Sequence, residues 1–390
     1  MTRAGWATLV VVAAALVARL GAAVVLGNRL HFADEGVYLD AAARLADGNG
    51  LGSQYRSVPA YPIALAAFQR LVPDGVLGVR AAQAVVTGVG AVLVMLLATR
   101  LRLDRRAALV AGMLYALDPL LVVAGSLLYP EAIAAVLLVG VVLGALRAAS
   151  RDAAVVSGAV GIALGVLAQL RPVALLVVPV VSAWIATVVA APARRRALHA
   201  VAVLAGCGLA LAPWTNRNYR FHGALAPIAT AGTRSAPVSG TDVQNRGLAE
   251  ALLRQACERP LFLATHVGRE FLHFWELYPQ RLTTDNPERR VGLHDGDPRL
   301  PVEPSFPAGL RDRVSAVASA VEMTLGAVGL WTLWRRRRAD AVLFACVMLT
   351  FGLGYAFFIG KMRYRITIVP LLLVLAAAGA ERIASARRSA

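Results

Sequence analysis

A chain of 390 residues that is 58% hydrophobic and only 16% charged is far more apolar than a soluble domain, so the bilayer is its main solvent. Its charge is unbalanced, with 40 Lys+Arg against 23 Asp+Glu and a formal net charge of +17. A basic balance can mark a nucleic-acid binder, but these arginines fall in short clusters between apolar runs, as orientation in a membrane requires, and no nucleic acid is expected as a partner.

A membrane span needs roughly 20 apolar residues. Runs of about that length lie at 6–26, 76–99, 107–125, 131–146, 154–170, 173–190, 198–213, 314–334, 341–359 and 366–380. They predict an all-α polytopic membrane protein, a single domain over residues 1–390 with about ten transmembrane helices. With that number, Arg3 and the clusters Arg100 to Arg106, Arg147 and Arg151, Arg194 to Arg196, Arg335 to Arg338, and Arg387 and Arg388 share one side. Positive charge in short loops marks the cytoplasm, so both termini are expected there. The first run reads as a span and not as a cleaved signal peptide, because Arg19 interrupts it and no clear small-residue cleavage site stands before the loop.

Two polar segments then fall on the outer side, 28–75 and 214–313. In the first, His31-Phe-Ala-Asp-Glu-Gly-Val-Tyr follows the opening span directly, and Asp34 is placed as the N-cap of a short helix ending at Gly48. Tyr38, Ala41, Ala42 and Leu45 share one face of it, which predicts a helix lying along the membrane surface. The positive end of the helix would keep Asp34 and Glu35 ionised. A carboxylate there suits a general base acting on a hydroxyl. The plainer reading makes Asp34 a cap and Glu35 a solvated side chain, and spacing alone does not separate the two. Arg56-Ser-Val-Pro-Ala-Tyr-Pro then forms a rigid turn, with Arg56 either at a site or at a lipid headgroup.

These residues carry a resemblance. The Asp34-Glu35 pair after the first span, Tyr38, Gly48, and Arg56 with Pro59-x-Tyr61-Pro62 are similar to the first outer loop of family 39-type glycosyltransferases of the GT-C superfamily. That family holds the protein O-mannosyltransferases and the lipid A aminoarabinose transferases. Further matches are Tyr129-Pro-Glu131, Pro213-Trp-Thr-Asn-Arg217-Asn-Tyr219, and Arg363-Tyr-Arg365 before Pro370. The resemblance implies a cell-membrane enzyme that moves a sugar, hexose or pentose, from a polyprenyl-phosphate donor to an acceptor on the extracytoplasmic face, with inversion. It leaves open whether the acceptor is a glycan, a lipid or a protein. It implies Asp34 as the base, with Glu35 and Glu131 orienting the acceptor or binding a cation, and Tyr38, Arg56 and Tyr61 in support.

The departing lipid phosphate needs fixed positive charge, and the planar fork of arginine suits it. Arg171, Arg217, Arg363 and Arg365 stand at outer ends of spans, with Lys361 nearby. Arg19 lies inside the first span, a placement that costs roughly 2.5–3.5 kcal/mol and marks a functional residue by default. Its alternatives are to snorkel outward or to pair with Glu322 in a later span.

No cofactor is certain, and a divalent cation is possible. His31, His222, His266, His273 and His294 are all placed outside, but none forms a tight helical pair. Cys207, Cys257 and Cys346 lack metal-ligand spacing and offer no disulfide framework. In the second outer loop, Phe271, Phe274, Trp275 and Tyr278 form one helical stripe, which predicts an interfacial helix resting on lipid or on the first loop. Residues 283–307 read as an irregular loop on the acceptor side. Two rivals remain. A transporter or flippase would be expected to show inverted halves with matching broken helices, which the spacing lacks. An envelope polymer ligase would share the lipid-phosphate donor.

Overall fold

A computed structural model describes residues 3–53, 55, 57–72, 75–223, 226–228, 248–278 and 308–389. Among these residues every regular element is a helix. Seven are long and apolar enough to cross a membrane: Gly5–Leu26, Gly75–Arg100, Pro130–Arg151, Ala193–His222, Asp312–Arg336, Arg338–Ala356 and Met362–Arg388. An eighth crossing is supplied if the pair Arg105–Leu117 and Pro119–Ser126, bent by 51°, counts as one span. The remaining two apolar runs form the shorter helices Ala154–Leu170 and Pro172–Val188. All ten runs are therefore helical, but length and composition qualify at most eight as spans, fewer than the expected ten. The all-α polytopic architecture stands.

The bend has a chemical cause. Pro119 supplies no N–H and disfavours a helical Asp118, so the helix stops there and a new one starts. Asp118 Oδ1 caps the second piece by accepting the Leu121 N–H at 2.7 Å. The broken end leaves carbonyls without helical partners inside the bundle. Arg19 takes them: its guanidinium donates to the carbonyls of Tyr115 (3.0 Å) and Ala116 (3.1 Å) and lies over the Tyr115 ring. Arg19 is wholly buried, so the expectation of a phosphate-binding role is corrected: it mends a helix break, without pairing to Glu322.

Helices approach closely where glycine permits, as membrane packing favours. A Cβ on Gly329 would stand 1.8 Å from the Leu375 carbonyl oxygen of the C-terminal helix, and one on Gly206 would stand 2.2 Å from the Gly158 oxygen. The described part of the second long polar segment contains helices Leu248–Glu258 and Pro260–Phe274. The aromatic stripe of the latter packs inward onto helix Arg338–Ala356 and not on the first loop: Phe274 is buried and stacks on Tyr355 at 5.9 Å. Residues 283–307, with His294, lie outside the described residues.

Gly329→Ala is expected to cost about 1–3 kcal/mol by forcing two helices apart. Gly208→Ala, with nothing within 4 Å of the added carbon, should leave stability equal or slightly higher. Thermal unfolding of the two variants in detergent checks the contrast.

Candidate active site

The short helix Ala33–Ala46 begins two residues earlier than the sequence suggests, with Phe32 in the extended N-cap position. Asp34 is therefore not the cap. Glu35, in the first turn, does the capping: its Oε2 accepts the N–H groups of His31 (2.7 Å) and Phe32 (3.3 Å). Its Oε1 accepts Arg80 Nη1 at 2.9 Å and the Leu128 N–H at 2.8 Å. Arg80 in turn donates to the carbonyls of Ser126 and Arg29, both at 2.8 Å. Glu35 and Arg80 are both wholly buried. The expectation that Glu35 touches acceptor or cation is corrected, since both its oxygens are already bonded inside the protein.

Adjacent residues on a helix point about 100° apart. So while Glu35 turns in, Asp34 turns out, with half of its side chain exposed. Asp34 Oδ2 stands 3.2 Å from Arg363 Nη1. Arg363 Nε stands 3.0 Å from Glu131 Oε1, and the same Glu131 oxygen lies 3.2 Å from Arg171 Nη1. Two guanidinium groups thus meet on one buried carboxylate oxygen, and one of them reaches the exposed Asp34.

Local chemistry places each member. Pro130 opens its helix at the first position, which leaves Glu131 in the positive first turn. Arg171 is held extended before Pro172. Arg363 sits in the one-turn helix Met362–Arg365. Aromatic rings wall the group: Arg363 lies over Tyr129 at 4.3 Å, and Arg171 over Tyr364 at 4.7 Å. Arg171 Nε also donates to the Tyr355 hydroxyl at 2.7 Å. Glu131 Oε2 is buried and accepts no hydrogen bond among the described residues.

Tyr38 packs edge-on against Tyr61 at 5.0 Å. Burial, and then the Glu131 carboxylate, push the Tyr38 phenol above its ordinary pKa, and burial does the same to Tyr129, so both stay protonated donors. Tyr61 is wholly buried and donates to Gln83 Oε1 at 2.8 Å, so it supports the loop from beneath.

The other expected phosphate ligands are not brought to this cluster. Arg217 donates to the carbonyls of Gly52 and Tyr55 and stacks over Trp214 at 4.5 Å, tying the first loop to helix Ala193–His222. Arg365 is wholly buried and donates to the Glu276 carbonyl and to Ser319 Oγ, each at 2.7 Å. Arg56 lies outside the described residues. Arg80 and Tyr355 went unnoticed in the sequence, and Tyr364 was named there only as part of the Arg363-Tyr-Arg365 motif. Arg80 could have been found, because it interrupts an apolar run as Arg19 does.

No group of three or more His, Cys, Asp or Glu side chains gathers as a metal site among the described residues. Asp34 and Glu131 are joined through a guanidinium, which is a poor neighbour for a cation.

Comparison with known proteins fits this arrangement. The family model for dolichyl-phosphate-mannose-protein mannosyltransferase matches residues 57–215, which include Glu131 and Arg171 but neither Asp34 nor Arg363. ArnT from Cupriavidus metallidurans in the apo state superposes with a TM-score of 0.64 at 18% identity, covering 97% of this chain and 60% of that one. The chain shares the fold of this ArnT. ArnT bound to undecaprenyl phosphate gives a TM-score of 0.59 at 17% identity, over 98% of this chain and 61% of that one. The apo oligosaccharyltransferase of Archaeoglobus fulgidus gives 0.62 at 15% identity, over 98% and 51%. The chain thus spans between half and about three fifths of the length of these GT-C structures. No curated protein matches its sequence. Of the motifs read from the sequence, the family match takes in Pro59 to Pro62, Tyr129 to Glu131 and Pro213 to Thr215, and leaves out the acidic pair at 34 and 35 and the segment 363–365.

Arg80→Met would leave the Glu35 carboxylate buried without its cation, at a cost of about 3–5 kcal/mol. Adding Glu35→Gln to that variant should recover part of the loss. Melting temperatures of the single and double variants measure the coupling.

Proposed function

We propose that this protein transfers a monosaccharide from a polyprenyl-phosphate donor to an acceptor hydroxyl or phosphate on the extracytoplasmic face of the cell membrane, inverting the anomeric carbon. The observation that carries the reading is the Asp34–Arg363–Glu131–Arg171 chain, in which the exposed end is a carboxylate and the next member is a half-exposed arginine. The GT-C fold supports it, as does the undecaprenyl phosphate bound to one ArnT structure.

In this mechanism Asp34 removes the acceptor proton while the acceptor oxygen attacks the anomeric carbon. The bond from that carbon to the phosphate oxygen breaks, and the lipid phosphate leaves with the bonding pair. Arg363 meets the growing charge, and Arg171 adds to the positive field behind it. Glu131 serves both as an anchor, holding the two forks in place before substrate arrives. A donor phosphate draws Arg363 away from Asp34, which frees the base only when a donor is present. Both termini are placed in the cytoplasm by the arginine clusters, and the acceptor is a glycan, lipid or protein.

Membranes containing wild type or Asp34→Asn, supplied with labelled polyprenyl-phosphate sugars, test the assignment. Transfer should fall roughly 10²–10⁴-fold in Asp34→Asn, and undiminished transfer removes Asp34 as base. Arg363→Lys should lose roughly 10²-fold in turnover despite keeping its charge, since the two-pronged phosphate contact goes with the guanidinium. If wild type consumes no sugar donor but moves a solute across liposomes, the protein is a transporter.

A further inference from the structure

The helix Met362–Arg388 begins at the candidate active site and runs away from it. Some 15 residues beyond Arg363, a distance of about 22 Å along a helix, Ala378 lines a cavity of about 450 Å³. Its floor is apolar, with Leu101, Leu333 and Ala378, and Arg102, Arg336 and Arg337 stand around it.

The backbone at Arg102 is the unexpected part. After helix Gly90–Arg100 the Arg102 N–H donates to the Thr99 carbonyl (3.0 Å) and the Leu103 N–H to the Ala98 carbonyl (3.2 Å). That pair of bonds is the helix ending in which glycine normally takes the left-handed position. Here Arg102 takes it, with φ of +61°. A side chain is strained in that conformation and glycine is not. Glycine would make this turn without strain, and the guanidinium is what Arg102 brings to the cavity in its place.

The cations around the cavity are not equally engaged. Arg337 is spent on Asp340 at 2.6 Å and on the Arg100 carbonyl at 2.6 Å. Arg336 has a single distant carboxylate, Glu381 at 4.0 Å. Arg102 has no ion pair or hydrogen bond of its side chain among the described residues. The depth is also marked. Trp331 and Trp334 are exposed on the same helix end, with Arg335 and Arg338 lying over their rings at 5.0 and 4.6 Å. Exposed tryptophans beside arginines are the signature of the headgroup layer.

We propose that this cavity binds the phosphate of an anionic phospholipid headgroup, with Arg102 and Arg336 donating to its oxygens and the leucine floor meeting the start of its acyl chains. Guanidinium donors fit phosphate oxygens, and basic pockets between membrane helices are suited to such headgroups. The site lies well along helix Met362–Arg388 from Arg363, so it stands apart from the proposed transfer reaction.

The experiment uses the full chain, delipidated in detergent, and reads lipid binding by native mass spectrometry and by shift of melting temperature. Phosphatidylglycerol, phosphatidylcholine and inorganic phosphate are the three probes. Wild type should bind phosphatidylglycerol and be stabilised by it, with phosphatidylcholine giving little of either. Arg102→Gly should keep or raise the lipid-free melting temperature while weakening phosphatidylglycerol roughly tenfold, and Arg336→Gln should weaken it too. Unchanged lipid affinity in Arg102→Gly overturns the proposal, as does a lower lipid-free melting temperature in that variant. Equal binding of phosphatidylcholine overturns it as well. A shift with inorganic phosphate that matches the lipid would make this a free-anion site and would also sink it.

Discussion

The buried pair of Glu35 and Arg80 is the constraint on which the site depends. Neither charge tolerates a low-dielectric interior alone, and each is held there by the other and by backbone groups. Through that pair the first polar loop is pinned to helix Gly75–Gly88 and to the turn ahead of Pro130. Pinning Glu35 inward fixes the rotation of helix Ala33–Ala46 about its own axis. The neighbouring carboxylate is then turned to the one direction where Arg363 waits.

A second economy concerns positive charge. Arginine in this chain does two kinds of work that look alike in sequence. Arg19, Arg217 and Arg365 satisfy carbonyls exposed where helices break or loops return. Arg171 and Arg363 instead converge on the buried carboxylate of Glu131, and Arg363 also reaches the exposed Asp34. The first kind is demanded by the bilayer, which offers no water to a free carbonyl. The second leaves donors directed at the space in front of Asp34.

This division explains what could be read beforehand. The ten apolar runs are visible because a lipid-embedded helix must be apolar along its length, and each run is helical. The motifs named Asp34, Glu131 and Arg363 as candidates on one membrane face, but carried no sign of the ion pairs that join them. The fate of Glu35 did not, since two adjacent acids at a helix start carry no mark of which one faces the core. Nor did the partners of Arg19, because its carbonyl acceptors lie some 97 residues away on a helix whose break arises from Pro119. The shortness of Ala154–Leu170 was visible, but not that it and Pro172–Val188 both fall below span length between the longer helices Pro130–Arg151 and Ala193–His222.

The contact between Asp34 and Arg363 joins positions 329 residues apart, one just after the first span and the other at the start of the last. A ribosome feeding this chain into the membrane delivers the acid long before its guanidinium partner. The ion pair therefore forms only once helix Met362–Arg388 has begun to enter, and until then Asp34 stands at the loop without Arg363 beside it.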